Sequence, residues 1–146
     1  MKKEIEIKLS SRHDRPGEEP ELSEIKAYGE YEFNSGVHEI FYIEKQQVQD
    51  ENGKVHELTS QNTVKIFDDR IEITRLGEAT SHMIFSEGST KEMNYNTPYG
   101  LLKMEIFTNR LVNRIDENTI KIEVDYSLNM EGQKVSSSKI VYDMRF

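Results

Sequence analysis

The residues best placed to do chemistry in this sequence are an arginine and a glutamate that keep strand parity with aliphatic neighbours. Arg75 is in step with Ile71 and Ile73, and Glu44 is in step with Ile40 and Tyr42. Side chains alternate between the two faces of a strand, so aliphatics turned inward would carry both charges into the same interior. A buried charge without a partner costs about 3 to 5 kcal/mol, and the two are therefore expected to pair. Such a pair can orient an acidic or polar ligand head, with Tyr42, Met83, Phe85, Tyr95, Met104, Tyr126 and Tyr142 as the apolar wall around it. Thr97-Pro98-Tyr99-Gly100 has the composition of a tight turn, which would display Tyr99 at a rim. Plainer readings stand beside these: Arg75 precedes Gly77 closely enough to snorkel out at a strand end, the pair could be purely structural, and the turn could simply reverse the chain.

Other reactive side chains lack the spacing that chemistry needs. His13, His38, His56 and His82 lie in separate segments, with no i, i+2 or i, i+4 pair to share an ion, so no metal site is expected. On its strand His82 should face water with Thr80, while Ser81, Met83 and Phe85 turn inward. Glu18-Glu19 and Asp68-Asp69 occupy turn positions, where carboxylates serve solubility, and neither reads as an acid–base dyad. Asp50-Glu51-Asn52-Gly53 lacks the acidic run and closing Glu of a calcium loop and reads as a hairpin turn. Ser136-Ser137-Ser138 continues a strand pattern without the sharp turn that exposes a nucleophile, which makes barrel-lining hydroxyls the reading. No catalytic residue and no cofactor is expected, and the balance is against an enzyme.

Composition narrows the partners. With 19 Lys plus Arg against 27 Asp plus Glu, the formal charge of −8 repels phosphate backbones and anionic lipid, so neither nucleic acid nor a membrane is an expected partner. The absence of cysteine excludes a disulfide framework, a thiolate zinc site and a Cys nucleophile together, and fits a cytoplasmic location. Residues 1–11 alternate charged and aliphatic side chains instead of forming the apolar run of a signal peptide. The 35% hydrophobic share is modest, as expected of strands with one wet face, and regular apolar spacing with seven Tyr and six Phe argues against disorder.

The elements that would position these residues are strands throughout. Ile120, Ile122, Val124, Tyr126, Leu128 and Met130 alternate without a break with Lys121, Glu123, Asp125, Ser127 and Asn129, a period of two that helical spacing would scatter. Ile5, Ile7 and Leu9 alternate likewise, and residues 13–20, with Pro16, Gly17 and Pro20, read as an exposed loop. Asn34-Ser35-Gly36 separates two β-rich runs as a hairpin turn, and similar punctuation recurs down the chain, giving about ten strands. Between Leu101 and Ile115 the aliphatics change phase after Thr108; a bulge there would let Leu102, Met104 and Ile106 share an interior with Leu111 and Ile115. Closing on themselves removes both unpaired edges, so the expected fold is all-β: one domain over 1–146, an antiparallel closed or nearly closed barrel.

Several of these segments together resemble the YwiB-like family of small bacterial proteins of uncharacterised function: Tyr42-Ile43-Glu44, Arg75-Leu76-Gly77, Ser81 to Phe85 with Gly88, Tyr95 to Gly100, Thr108, Leu111, and Tyr126 to Leu128. The resemblance runs from about Ile25 to the end, and its most specific pieces are the Arg-x-Gly turn and the Tyr-x-Thr-Pro-Tyr-Gly stretch. It implies a calycin-type, lipocalin-like barrel and no activity. The chain has no Trp, and so lacks the Gly-x-Trp of lipocalins.

Two functions follow as expectations. One is non-enzymatic binding of a small amphipathic or acidic molecule in the barrel interior; small residues at Ala27, Gly29, Ser136 and Ser138 hint at room for it. The other is an interaction or regulatory module with a filled barrel, acting through its surface or as a homodimer.

Overall fold

The computed structural model describes residues 2–146, and they form ten strands with no helix among them. The strands are β1 (Lys3–Asp14), β2 (Glu21–Asn34), β3 (Val37–Gln49), β4 (Val55–Ile66), β5 (Ile71–Leu76), β6 (Thr80–Phe85), β7 (Thr90–Thr97), β8 (Gly100–Ile115), β9 (Thr119–Met130) and β10 (Gln133–Arg145). Each pairs antiparallel with its neighbour in sequence, and β10 closes on β1 from Glu6↔Arg145 to Asp14↔Ser137. Closure leaves no unpaired edge, the physical reason for expecting a barrel from this pattern.

Local chemistry sets the turns. Ser35 and Gly36 both have positive φ, 50° and 80°, as do Glu131 and Gly132 at 52° and 78°, the backbone twist that matches a two-residue hairpin to right-twisted strands. Asp50 accepts the amides of Asn52 and Lys54, so this segment is the hairpin turn its composition suggested. The loop expected over 13–20 is shorter than that: β1 continues through Asp14, with His13 paired to Glu21, because Ile5, Ile7, Leu9 and His13 share one inward face.

The phase change in β8 is a bulge. The β8–β9 register shifts between Thr108 and Arg110, after which Leu111 stands opposite Val124. The β6–β7 turn docks there: Gly88 donates its amide to the Thr108 carbonyl at 2.8 Å, and Glu87 accepts the Leu111 amide at 3.0 Å. Leu111 packs against the core as expected, whereas Leu102 and Ile115, at opposite ends of the long strand, are substantially exposed.

At the β8–β9 turn Asp116 accepts the amides of Asn118 and Thr119 and the Thr119 hydroxyl. The Asn118 amide first, then Thr119, holds the carboxyl below the ordinary aspartate range. Since the folded pKa is the lower one, its stabilisation is present above the ordinary aspartate value and is lost as pH falls through the folded value. Asp116→Asn should therefore shrink the acid-side fall in thermal stability; melting curves with an unchanged acid limb would contradict this assignment.

Up-and-down order puts the β2–β3, β4–β5, β6–β7 and β8–β9 turns at one end and the β1–β2, β3–β4, β5–β6, β7–β8 and β9–β10 turns at the other. The first end is filled by Ile5, Ile7, Ile40, Ile66, Ile71, Phe85, Ile120 and Met144, all at most 1% exposed. Phe146 seals it, its ring edge-on to Tyr31 at 4.8 Å and its amide donated to the Asn118 carbonyl. The second end is open.

Candidate functional site

At the open end the inward side chains surround a cavity of about 710 Å³, within the usual range for a small-molecule site. Arg75, the last inward position of β5, stands opposite Asn62 of β4, and Glu44 of β3 stands opposite Ser60, so β4 presents only Ser60 and Asn62 between them. Those short side chains leave space for the Arg75 guanidinium to cross over β4 and donate to Glu44 Oε2 at 3.1 Å. The pairing expected from parity is present, but it is lopsided: the Glu44 side chain is 11% exposed and that of Arg75 is 43%. Glu44 thus anchors one edge of the guanidinium, and further N–H donors of Arg75 remain at the cavity wall.

The cavity wall has two sides. Met83 of β6, Met93 and Tyr95 of β7, Met104 of β8 and Tyr126 of β9 form an apolar arc, with Met93 and Met104 directly opposite each other in the β7–β8 ladder. Ser136 of β10, His13 of β1, Glu44, Ser60 and Arg75 form the polar arc. Tyr99, fully exposed, stands on the β7–β8 turn at the mouth, where its Thr97 neighbour braces the turn by accepting the Tyr99 amide.

Three of the expected wall residues sit below the cavity instead of lining it. Tyr42 and Tyr142 are each 2% exposed and Phe85 is fully buried, so they make its floor. The Tyr42 and Tyr142 hydroxyls are hydrogen-bonded at 2.8 Å. Burial pushes the Tyr42 phenol up to about 12 and the Tyr142 phenol well above its ordinary value, so both stay neutral across the physiological range. Phe85 packs against Tyr126 with ring centroids 4.9 Å apart. Gly29 does not supply room either: a Cβ there would meet the Phe41 carbonyl, Ile7 Cδ1 and Tyr42 Cβ.

His13 and Met93 are wall residues that pattern reading passed over. His13 was placed in a loop, yet its parity with Ile5, Ile7 and Leu9 carried the signal, as did that of Met93 with Tyr95. His13 Nδ1 lies 2.7 Å from the hydroxyl of Ser138, its cross-strand partner. Burial lowers the imidazole pKa, leaving the ring uncharged at neutral pH. The Ser–His contact has no electrophilic complement: Ser138 lies inside a strand paired on both sides, whose amides are committed to the ladders and cannot form an oxyanion hole. His38, His56 and His82 bond separately to Tyr31, Asp50 and Thr74, away from the cavity. His82 points outward, whereas Ser81 and Phe85 are buried and Met83 reaches the cavity, as alternation required.

No curated protein matches the sequence. Among solved structures, the ywiB protein from Bacillus subtilis is similar with a TM-score of 0.77 and 15% identity, over 99% of this chain and 92% of that one. That likeness shows a shared fold. The attachment invasion locus protein Ail of Yersinia pestis aligns over 99% of this chain and 98% of that one at 12% identity, with a TM-score of only 0.35. Residues 7–141, a span that contains every motif behind the YwiB-like resemblance, match the family described as "Domain of unknown function (DUF1934)", and the chain belongs to that family.

Proposed function

We propose that this protein binds a small amphipathic molecule, acidic heads included, in the open half of its barrel and performs no reaction on it. The observation that carries this reading is the Glu44-anchored Arg75 on the wall of a cavity whose opposite side is thioether and aromatic. A ligand acceptor group can take the remaining guanidinium donors while its apolar part covers Met83, Met104 and Tyr126. This is the use to which calycin barrels put an open end, and it agrees with a cytoplasmic setting for a chain without cysteine.

Arg75→Met tests the reading. Affinity for an anionic amphiphile such as an anilinonaphthalene sulfonate should fall about tenfold or more, the worth of a charge-assisted hydrogen bond, with the β-type circular dichroism unchanged. Undiminished binding would remove the pair from the site. Native mass spectrometry of protein purified from its own cytosol should meanwhile reveal a bound small molecule.

A second reading, an interaction surface, is favoured by exposed apolar side chains around the open mouth: Leu22, Val55, Leu76, Tyr99 and Leu101. On that reading the same mass spectra would show a homodimer and no small molecule. Its filled interior describes only the closed half of the barrel.

A further inference from the structure

The division of the cavity wall says what shape of molecule fits, an argument that rests on the binding reading above. Going round the barrel, hydroxyl and charged groups occupy β10, β1 and β3 to β5, and thioether and aromatic groups occupy β6 to β9, with Ser81 of β6, paired to Arg75, at the boundary between them. The polarity therefore changes from side to side of the cavity. Depth is limited as well: from Met93, just above the floor, to Thr97 at the rim is four residues of β7, at most about 13 Å.

Two hydroxyls on this wall point to a ligand. Ser81 and Ser136 are 6% and 4% exposed and face the cavity. Ser60 and Ser138 are engaged by Asn62 and His13, whereas the hydroxyls of Ser81 and Ser136 make no hydrogen bond to another residue among those described. Both hydroxyls open onto the cavity, so an occupant that displaces the water there must supply their partner.

An extended acyl chain answers neither feature. Its carboxylate head can take the free edge of Arg75, but the chain itself presents hydrocarbon on all sides, so it would desolvate Ser81 and Ser136 without replacing their water, and a long one would outrun the floor. A sugar fails on the opposite side, where it would leave Met83, Met93 and Met104 against polar groups. A flat ring satisfies both sides, since methionine sulfur contacts aromatic rings favourably and its flexible chain adapts to their outline.

We propose that the cavity takes a fused aromatic heterocycle with donors and acceptors along one edge, its ring against the methionines of β6 to β8 and its polar edge toward Ser81, Ser136 and Arg75. Arg75, held by Glu44, presents its remaining N–H groups to an acceptor on that edge, and the serines complete the pattern as donors or acceptors.

Two fluorescent probes of contrasting shape test this: lumichrome, a planar heterocycle with a polar edge, and cis-parinaric acid, an acyl chain. Lumichrome anisotropy should rise saturably and at lower protein concentration than that of parinaric acid. Ser136→Val, a change that a strand accommodates, should weaken lumichrome about two- to tenfold and leave parinaric acid unchanged or bound more tightly; Ser81→Val repeats the test from the other side. Tighter binding of parinaric acid would overturn the ring inference and leave ligand binding standing. Lumichrome binding indifferent to both serine variants would overturn the assignment of the polar edge, and binding of neither probe would overturn both proposals.

Discussion

Phe85→Ala is expected to lower the unfolding free energy by about 3 to 5 kcal/mol, the range for truncating a fully buried aromatic side chain in a core that collapses only partly around the gap. Phe85 is 0% exposed, is the last residue of β6, and packs on Tyr126 at the junction between the filled half of the barrel and the cavity. It has little freedom to be replaced by its neighbours, because Ile71 opposite it and Ile106 of β8 are themselves fully buried on ladders with fixed register. Urea unfolding should show the midpoint moving with the slope unchanged. A loss below about 1 kcal/mol would mean that the floor is not packed as described. The same substitution should extend the cavity downward through the space the ring vacates.

Gly29→Ala should be nearly as damaging, by about 3 kcal/mol, although it adds only a methyl group. Gly29 faces inward on β2 opposite Tyr42 of β3, and an added Cβ would sit 3.0 Å from Ile7 Cδ1 and 3.1 Å from Tyr42 Cβ. It would also press on the Phe41 carbonyl, and backbone in a closed ladder cannot turn aside as a side chain can. Strand β2 must then move away from β3, disturbing the strand that carries Tyr42 and Glu44. A fall in melting temperature of about 10 °C is expected, with ligand affinity reduced alongside it. A melting temperature within a degree or two of the parent would show that this contact is slack.

Each of these effects depends on side chains meeting across the barrel, and that is where sequence reading divides. The strand character of β9, the bulge after Thr108 and the hairpin at Ser35-Gly36 were legible, because each is written in neighbouring residues: a period of two, a break in that period, a residue pair tolerant of positive φ. The inward facing of Arg75 and Glu44 followed by the same parity. Gly29 misled for the reason that parity succeeded elsewhere: small size is visible in a sequence, but what occupies the adjoining space is not.

By itself, then, the sequence determined on which face of its strand a side chain lies, since alternation is a local property of each strand, and through ten such strands it determined a barrel. Only the tertiary structure decided how far along the barrel each inward residue lies: Tyr42, Phe85 and Tyr142 in the floor, Met93 and His13 in the wall, and Arg75 crossing β4 to reach Glu44. The physical reason is that level is set by the pairing registers between strands and by the closure of β10 on β1, which join residues more than a hundred positions apart, as His13 and Ser138 are joined. Periodicity within one strand fixes the face and carries no information about that height.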